Sequence, residues 1–433
     1  MRILPASVLL FFIFCNPILG QKQVKHFIFF AHERERIKET SFLKNENIQG
    51  AQLKYTWREL EPRENEYDLA LIQKDLDFLN SKGKKLFIQL QDVTFDTQYK
   101  AVPRYIMQNK KYNGGADIQY FMGENDSIIK QNGYVARRWD TTVANRFFKL
   151  LFVLGQQFDG KIEGINLPET SAGFGETGKL FPKGYTTDIY KSAILSYMGT
   201  LRKAFPKSVV IQYANFMPGE WLPYNDRSYL KDIYALAKEK GIGMGGPDIK
   251  VYNKGHMNNG YKFLKQYSKD IITGLAVQDG NYELINPQTG KPVTIDEIYE
   301  LGKNYIGLDY IFWCTEEPFY TKEVLPFLKG STIGKPKDGT YTFAIAFAEW
   351  QGKSNGTTCT VIIKGDSIKV VHNGTGNLTG KKGDILDEGI IMKHKSGKWI
   401  IGHNLKDKDA KEIGGCSEGP SVIDFNSKRF WSC

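Results

Sequence analysis

Residues 141–167 read TTVANRFFKLLFVLGQQF, then DG, then KIEGINL, and they show the unit that we expect to repeat. Residues 141–158 carry apolar side chains at spacings of three and four, which indicates an amphipathic helix. Asp140 or Thr141 supplies a residue type that caps helix starts. Residues 161–167 form a short apolar run after a glycine turn, which is typical of a buried strand. The chain therefore passes from a helix directly into a strand.

The same alternation extends from residue 24 to about residue 328, with helical stretches between short apolar runs. The runs are 26–31, 50–56, 85–91, 161–167, 208–214, 242–246, 271–277 and 307–313. Eight strands alternating with helices fit a parallel (β/α)8 TIM barrel, whose usual size is about 250 residues plus insertions. A doubly wound open sheet is the alternative. It is less favoured because the first run leads into His32-Glu33-Arg34 without a glycine-rich phosphate turn.

Two segments fall outside the repeat. The connection at residues 92–140 is long, without regular pattern, and rich in aromatic residues. Such connections build lids or binding walls, and this one would lie at the C-terminal end of the barrel. Beyond a linker at 331–339, residues 340–433 read as short strands separated by turn residues, which predicts a small antiparallel β domain. The barrel domain is expected over 21–330.

Residues 1–20, MRILPASVLLFFIFCNPILG, have the pattern of a secretory signal peptide. Arg2 gives the positive start, residues 8–14 the apolar run, and residues 16–20 a turn-prone end. We therefore expect a secreted or periplasmic protein. Lipid attachment at Cys15 is the alternative, but large residues precede this cysteine where lipidation prefers small ones. The run is too short to span a bilayer, and no later segment is longer and as apolar.

The composition excludes several partners. The chain has 433 residues and a formal net charge of +10, but its 58 basic residues are spread throughout instead of forming a nucleic-acid-binding stripe. Six scattered histidines and the absence of a CxxC pair give no metal-ligand spacing, so neither a metal nor another cofactor is expected. Cys314 lies in an apolar run and is expected as a buried thiol. Cys359, Cys416 and Cys433 allow one disulfide, whose pairing stays open.

Polar and aromatic residues follow the predicted strands, where a barrel presents its functional side chains. They are Tyr55, Trp57, Gln91, Asn166, Glu169, Asn215, Asp248, Gln278, Asp279, Trp313, Glu316 and Glu317. Carboxylates and amides hydrogen-bond to hydroxyl groups, and aromatic faces stack on the C–H faces of sugar rings. Phosphate-binding turns and Ser–His pairs are scarce. The set therefore predicts a carbohydrate ligand.

Three stretches resemble the clan A glycoside hydrolases, and specifically their β-galactosidase-like members, over roughly residues 24–328. They are Trp57-Arg58-Glu59-Leu60-Glu61-Pro62 with Glu66-Tyr67-Asp68, then Ile165-Asn166-Leu167-Pro168-Glu169, and Trp313 on the eighth strand. The resemblance implies a barrel enzyme that cleaves β-glycosidic bonds with two carboxyl groups. In that family an Asn-Glu pair ends the fourth strand. Here Asn166 matches the Asn, and the glutamate, Glu169, comes three residues later.

The resemblance implies that Glu169 is the general acid/base. The family carries its nucleophilic glutamate on the seventh strand, where this chain has Gln278 followed by Asp279. Asp279 is therefore the first candidate for the second carboxylate, and Glu316 or Glu317 on the eighth strand is the alternative. The residues expected to bind substrate are Tyr55, Trp57, Gln91, Asn166, Asn215, Asp248, Gln278, Trp313 and Glu317. Carboxyl groups about 5 Å apart would imply retention of configuration, and roughly 6.5–9.5 Å inversion.

Other interpretations remain open from the sequence. Gln278 in place of a glutamate is compatible with a non-catalytic carbohydrate-binding protein on a degenerate barrel. A scaffold for cell-surface interactions, centred on the C-terminal domain, is a third possibility. Trp57 and Trp313 fit barrel packing as well as a sugar platform, and Asp279 before Gly280 fits an Asx turn. The sugar, the linkage and the oligomeric state are not determined by the sequence.

Overall fold

The computed structural model describes residues 24–31, 33–122, 127–287, 290–329, 336, 338–347, 353–376, 380–396, 398–414, 419–425 and 427–432. The predicted signal peptide, Cys416, Cys433 and most of the predicted linker lie outside these residues. Cys314 and Cys359 are both buried free thiols. Within the described residues no helix is long and apolar enough to cross a membrane.

The structure contains strands of a large barrel, a small insert and a second barrel. In chain order the strands are β1 (Lys25–Phe29), β2 (Ile48–Thr56), β3 (Lys85–Gln91), β4 (Val93–Thr94), β5 (Ala116–Met122), β6 (Ile129–Ala136), β7 (Gly164–Leu167), β8 (Val209–Tyr213), β9 (Gly243–Gly246), β10 (Thr273–Ala276), β11 (Tyr310–Cys314), β12 (Gly339–Phe347), β13 (Thr358–Lys364), β14 (Ser367–His372), β15 (Ile385–Lys393), β16 (Trp399–Gly402), β17 (Val422–Asp424) and β18 (Arg429–Ser432).

Helices separate the strands of the first barrel. They are α1 (Thr40–Leu43), α2 (Trp57–Leu60), α3 (Ala70–Ser81), α4 (Arg104–Gln108), α5 (Thr141–Phe158), α6 (Thr187–Ala204), α7 (Tyr229–Lys240), α8 (Lys254–Asn258), α9 (Gly260–Tyr267), α10 (Ile295–Glu300) and α11 (Leu325–Lys329). Short 3-10 turns cover Arg34–Lys38, Lys110–Tyr112 and Leu405–Asp409, and π-helical turns cover Leu301–Ile306 and Tyr320–Val324.

The predicted (β/α)8 barrel is confirmed. Eight parallel strands pair in the closed order β1-β2-β3-β7-β8-β9-β10-β11, and β11 returns to β1. Each predicted apolar run overlaps one of these strands. The runs are mainly apolar because parallel strands under helices are buried on both faces. Helix α5 begins after Asp140, whose side chain accepts hydrogen bonds from the amides of Thr142 and Val143, as expected for a cap.

The interior of the large barrel changes from apolar to polar along the strands. Phe27, Phe87 and Phe312 meet with ring centroids 4.9–6.0 Å apart. On β2, Gly50 lies beside Phe27, and Gln52 comes two residues later. The Nε2 of Gln52 donates to Oδ1 of Asn166 and to the hydroxyl of Tyr213, both at 2.9 Å. The apolar layer therefore fills the barrel, and hydrogen-bonding groups begin toward its C-terminal end.

The long connection after β3 is ordered, which corrects the expectation of a structureless segment. It contains α4 and the antiparallel sheet β4-β6-β5. The amide of Tyr120 donates to the carbonyl of Gly173, at 2.8 Å, and so joins this sheet to the loop after β7. A Cβ at Gly173 would lie 2.2 Å from the Tyr120 carbonyl, so only glycine permits the approach. The insert therefore packs against the loop that carries Glu169.

The C-terminal segment forms a second, smaller closed barrel from β12 to β18. Neighbouring strands pair antiparallel as predicted, except that β12 and β18 close the barrel in parallel. The predicted small β domain of short strands therefore has seven strands in this closed sheet. The domain has its own apolar core, which includes Phe343, Val361, Ile401 and Phe430. Lys393 of β15 forms an ion pair with Glu300 at the end of α10, which links the two barrels.

Candidate functional site

The main chain around Glu169, at the C-terminal end of the barrel, is held on both sides. The Nε2 of Gln212 donates to the carbonyl of the preceding proline at 2.7 Å, and Nη1 of Arg138 donates to the carbonyl of Glu169 at 3.2 Å. The amide of Thr170 donates to the carbonyl of Tyr213 at 3.0 Å. These bonds fix the direction in which the Glu169 side chain leaves the loop, as a preorganised reactive group requires.

Arg138 is itself fixed by a buried ion pair. Its Nε lies 2.9 Å from Oδ2 of Asp92, and its Nη2 lies 2.5 Å from Oδ1 of the same carboxylate. Its Nη1 also donates to the hydroxyl of Tyr190 in α6, at 2.8 Å. Asp92 directly follows β3. A two-point arginine–carboxylate contact is rigid, so the support for Glu169 extends from the third strand of the barrel.

The carboxyl group of Glu169 has no hydrogen bond or ion pair with any described residue, and its side chain is partly exposed. Burial and the negative charge of Asp248 raise its pKa to about 8, against the opposing effect of Lys250. Glu169 is therefore largely protonated at neutral pH. A carboxylic acid that is fixed in place, protonated and free of protein partners has the properties of a general acid.

Asp248, after β9, is the ionised neighbour of this acid. Its Oδ1 accepts a hydrogen bond from Nδ2 of Asn281 at 3.0 Å and lies 3.4 Å from Nζ of Lys250. Its Oδ2 is 3.9 Å from Nε2 of His256. Burial favours the protonated form of Asp248, but these three neighbours outweigh burial and hold its pKa below the ordinary value. The site thus combines a protonated and an ionised carboxyl group.

A second carboxyl pair lies at the ends of β10 and β11. Side-chain ligand atoms of Asp279, Cys314 and Glu316 are all within 4.8 Å of one another. Burial raises the pKa of Glu316, the amide of Gly280 opposes this through a 2.9 Å hydrogen bond, and the charges of Asp279 and Glu283 reinforce it. Glu316 therefore keeps its proton to a higher pH than an ordinary glutamate does.

The same cluster is poorly suited to a metal ion. Burial raises the pKa of the Cys314 thiol to about 12, so the thiol stays protonated and is a weak ligand. The ammonium group of Lys54, on β2, already lies within electrostatic range of Asp279. Burial lowers the pKa of Lys54 and the charge of Asp279 opposes that shift. The lysine supplies positive charge where a cation would otherwise bind.

Four predicted ligand-binding amides lie at the ends of the barrel strands. Asn166 is engaged with Gln52, as described above, and Gln91 is buried at the end of β3. Gln278 is partly exposed after β10. Asn215 is fully buried after β8, and neither atom of its side-chain amide has a hydrogen-bond partner among the described residues. An unpaired buried amide is costly, so Asn215 has hydrogen-bonding capacity to spare.

Tyr55 and Trp57 lie between the barrel and its outer helices, away from the mouth. The Tyr55 hydroxyl donates to Oδ2 of Asp75 in α3 at 2.7 Å. Nε1 of Trp57 donates to Oε2 of Glu61 at 2.8 Å, and Glu61 forms an ion pair with Arg146. Both aromatic rings are fully buried. The structure therefore gives them packing roles in this arrangement.

Trp313 and Glu317 are likewise separated from Glu169 by their contacts. Nε1 of Trp313 donates to Nδ1 of His26 at 3.1 Å, and the indole is fully buried against outer helices. The carboxylate of Glu317 lies 2.9 Å from Nη2 of Arg36. Of the predicted aromatic platforms, none is exposed at the mouth.

An exposed aromatic residue that the sequence reasoning missed is Trp221, in the loop after β8. Its side chain is 47% exposed, and it stacks on Phe216 at 5.3 Å between centroids and 14° between planes. Phe216 in turn meets the edge of His256 at 4.9 Å. Trp221 thus belongs to the same rim as Asp248. The sequence feature that could have indicated an exposed ring is the position of Trp221 in a loop with proline and glycine, where an aromatic ring has no core to fill.

Comparison with known proteins finds distant similarities to solved structures. No family model and no curated protein matches the sequence. The chain is similar to the catalytic domain of a β-amylase from Paenibacillus polymyxa, with a TM-score of 0.45, 8% identity, and coverage of 67% of this chain and 92% of that one.

It is also similar to xylanase 10B from Thermotoga petrophila RKU-1, solved with xylobiose, with a TM-score of 0.41, 11% identity and coverage of 67% and 82%. A β-galactosidase from Halorubrum lacusprofundi gives a TM-score of 0.43, 9% identity and coverage of 67% and 52%. All three are named as glycoside-cleaving enzymes, but identities and TM-scores this low carry no argument about the reaction. The chemistry has to be judged from the site itself.

Proposed function

We propose that the protein is an exported glycoside hydrolase that cleaves β-glycosidic bonds in an oligosaccharide or polysaccharide with two carboxyl groups. One observation carries the proposal. Glu169 combines a fixed main chain, a carboxyl group without protein partners and a pKa raised to about 8. A structural glutamate would normally be paired or solvated, whereas a general acid has to keep its proton until the leaving group needs it.

In the proposed reaction, Glu169 gives its proton to the glycosidic oxygen as the bond from that oxygen to the anomeric carbon breaks. Asp279 acts on the anomeric carbon, either by attacking it or by taking a proton from the water that attacks it. Glu316 lies beside Asp279, and Lys54 favours negative charge there. If Asp279 attacks, water then attacks the anomeric carbon, breaks its bond to Asp279 and gives a proton to Glu169. If Asp279 acts as a base, it holds the proton of the attacking water while Glu169 carries the negative charge, until both exchange protons with solvent.

Substrate binding is assigned to groups that have unused contacts. The exposed face of Trp221 is suited to stacking on a sugar ring. The unpaired amide of Asn215 and the partly exposed amide of Gln278 are suited to hydroxyl groups.

Export is proposed from the leader-like residues 1–20 alone, and N-terminal sequencing of protein recovered outside the cytoplasm tests it.

The central test compares two glutamates that flank the same strand, β7. Glu169 follows β7, while Glu163 precedes it and pairs with Lys25 at 2.6 Å. Purified wild type, Glu169→Gln and Glu163→Gln are incubated with β-linked xylan, glucan and galactan, and reducing ends are counted. We expect release by the wild type and by Glu163→Gln, and a loss of about 100-fold or more in Glu169→Gln. Undiminished release by Glu169→Gln would remove Glu169 from the mechanism.

A non-catalytic carbohydrate-binding protein is the second candidate, because Gln278 stands where the resembling family has its nucleophile. Under this alternative the wild type binds glycans without releasing reducing ends, and Glu169→Gln binds as the wild type does. Calorimetry on the same glycans, run beside the hydrolysis assay, distinguishes the two candidates.

A further inference from the structure

A groove of about 290 Å³ lies between the two barrels. On the large-barrel side it is lined by Thr294 and Asp296, at the start of α10. On the other side it is lined by aromatic residues that include Trp399, Phe425 and Trp431. Lys393 of β15 also forms an ion pair with Glu300, the last residue of α10. The groove therefore exists only where the two barrels meet.

The lining of the groove has an unpaired polar group. Asp296 is partly buried, makes no hydrogen bond or ion pair with any described residue, and has its pKa raised mainly by burial. Opposite it, the partly exposed ring of Trp431 has the ammonium group of Lys398 5.7 Å from its centroid. Hydroxyl groups would satisfy the carboxyl group, and the C–H face of a sugar would cover the ring.

The groove lies at the same end of the large barrel as Glu169. Helix α10 follows β10, so its first residues are near the C-terminal ends of the strands. Tyr252, in the loop after β9, donates its hydroxyl to Oε1 of Glu297 in α10 at 2.8 Å. The same loop begins with Asp248 and Lys250, which belong to the mouth. One loop thus connects the catalytic mouth with the start of the groove.

We infer that this groove is a distal saccharide-binding subsite for the glycan whose bond is cleaved beside Glu169. The inference rests on the proposed function, and it defines the substrate class further: chains long enough to reach both places, in preference to disaccharides. The volume is near the lower limit of ligand pockets, roughly 300–1,000 Å³, so the groove accommodates a short stretch of the chain. The C-terminal barrel then contributes directly to substrate binding.

The experiment measures binding in the Glu169→Gln background, where no hydrolysis interferes. Cellohexaose, xylohexaose and laminarihexaose are titrated by calorimetry into this protein and into the same protein carrying Asp296→Ala or Trp431→Ala. Asp77→Ala, on the exposed face of α3, is the matched control. We expect at least one hexasaccharide to bind, and each groove variant to weaken it about tenfold, since a lost buried contact has that effect. Asp77→Ala leaves the affinity unchanged.

Trp431 belongs to β18 of the small barrel, so Trp431→Ala can disturb the folding of that domain. If Trp431→Ala fails to fold, the result for Asp296→Ala decides the test. Unchanged hexasaccharide affinity in Asp296→Ala, or no hexasaccharide binding at all, overturns the subsite. In the active protein, the subsite also predicts a raised KM for hexasaccharides and an unchanged rate on aryl monoglycosides. Loss of binding in Asp296→Ala, with no hydrolysis by the wild type, would retain the subsite and reject the hydrolase. Hydrolysis of hexasaccharides that is unchanged in the groove variants would retain the hydrolase and reject the subsite.

Discussion

Nη1 of Arg138 donates to the main-chain carbonyl of Glu169 at 3.2 Å, so a buried cation holds the backbone of the proposed acid without touching its carboxyl group. The guanidinium charge is already balanced by Asp92, at 2.5 and 2.9 Å. Arg138 therefore fixes the position of Glu169 while leaving its raised pKa in place. Had the guanidinium faced the carboxyl group directly, the acid would have been ionised.

Arg138→Ala should strongly destabilise the fold. It leaves the buried carboxylate of Asp92 without its partner, which costs about 3–5 kcal/mol in the free energy of unfolding. Urea denaturation followed by tryptophan fluorescence measures the change. Lys238→Ala breaks an exposed ion pair with Asp270, 3.0 Å long, and should cost less than about 1 kcal/mol. Equal effects of the two substitutions would mean that the buried pair has no special role.

Glu169 should impose an alkaline limit on activity. Its pKa is raised from 4.5 to about 8, so kcat/KM should fall as the pH rises through about 8. Stability should follow the same direction. Between pH 4.5 and 8 the folded chain keeps a proton that the unfolded chain releases, so its free energy of unfolding decreases as the pH rises. Denaturation of Glu169→Gln at pH 5 and pH 8 should lack this decrease; an identical pH dependence in both proteins would contradict it.

Asp248→Asn should shift the alkaline limit toward lower pH. The substitution removes the negative charge that helps to keep Glu169 protonated, while burial still raises its pKa. The pH profile of kcat/KM measures the shift, and the amide retains a hydrogen-bonding group opposite Asn281. A limit that stays in place would mean that burial alone sets the acidity of Glu169.

Asp279→Asn should reduce kcat by about 100-fold or more if Asp279 is the second carboxylate. Small nucleophiles such as azide should partly restore turnover, since they occupy the space of the lost carboxylate. Glu317→Gln is the matched control, because Glu317 is paired with Arg36 and should be nearly neutral for kcat. A large loss in Glu316→Gln with little in Asp279→Asn would transfer the role to Glu316.

Trp221→Ala and Trp313→Ala should separate binding from packing. Trp221 is exposed, so its removal should raise KM by about 2- to 10-fold, the loss of one aromatic contact, with little effect on unfolding. Trp313 is fully buried, so its removal should cost about 3–5 kcal/mol in stability. Thermal melts and substrate titrations of both variants give the comparison. An unchanged KM in Trp221→Ala would exclude a sugar platform there.

The barrel was predictable because its signal is physical and repeated. Strands buried on both faces are mainly apolar instead of alternating, and residues 26–31 and 310–313 show this clearly. The same feature hides which face of each strand points inward. Trp313 and Phe312 are adjacent and equally apolar, yet Phe312 fills the barrel and Trp313 packs outside. The apolar pattern therefore does not determine on which side of the barrel wall each tryptophan lies.

From the sequence, a place near the mouth can be inferred only for residues that follow a strand closely. Glu169 and Asp248 each lie two residues past a strand end, of β7 and β9 respectively. The importance of Arg138 was hidden, since it lies 46 residues from Asp92 and its contacts depend on the folded insert. Trp221 lies in a loop, whereas the resemblance to clan A glycoside hydrolases implies functional tryptophans next to strands. The sequence pattern therefore gives Trp221 no special role.

The pairing of β1 with β11, which closes the large barrel and is called its seam here, should affect the rate of folding. Nε1 of Trp313 bonds to Nδ1 of His26 across 287 residues of chain, so the barrel closes only through contacts of very high sequence separation. Such contacts slow folding, because loop-closure entropy is lost before they form. Until β11 pairs with its neighbours, β1 and β10 present open strand edges to other chains. The rate of seam closure, more than the stability of the finished barrel, should therefore decide how much newly made protein aggregates.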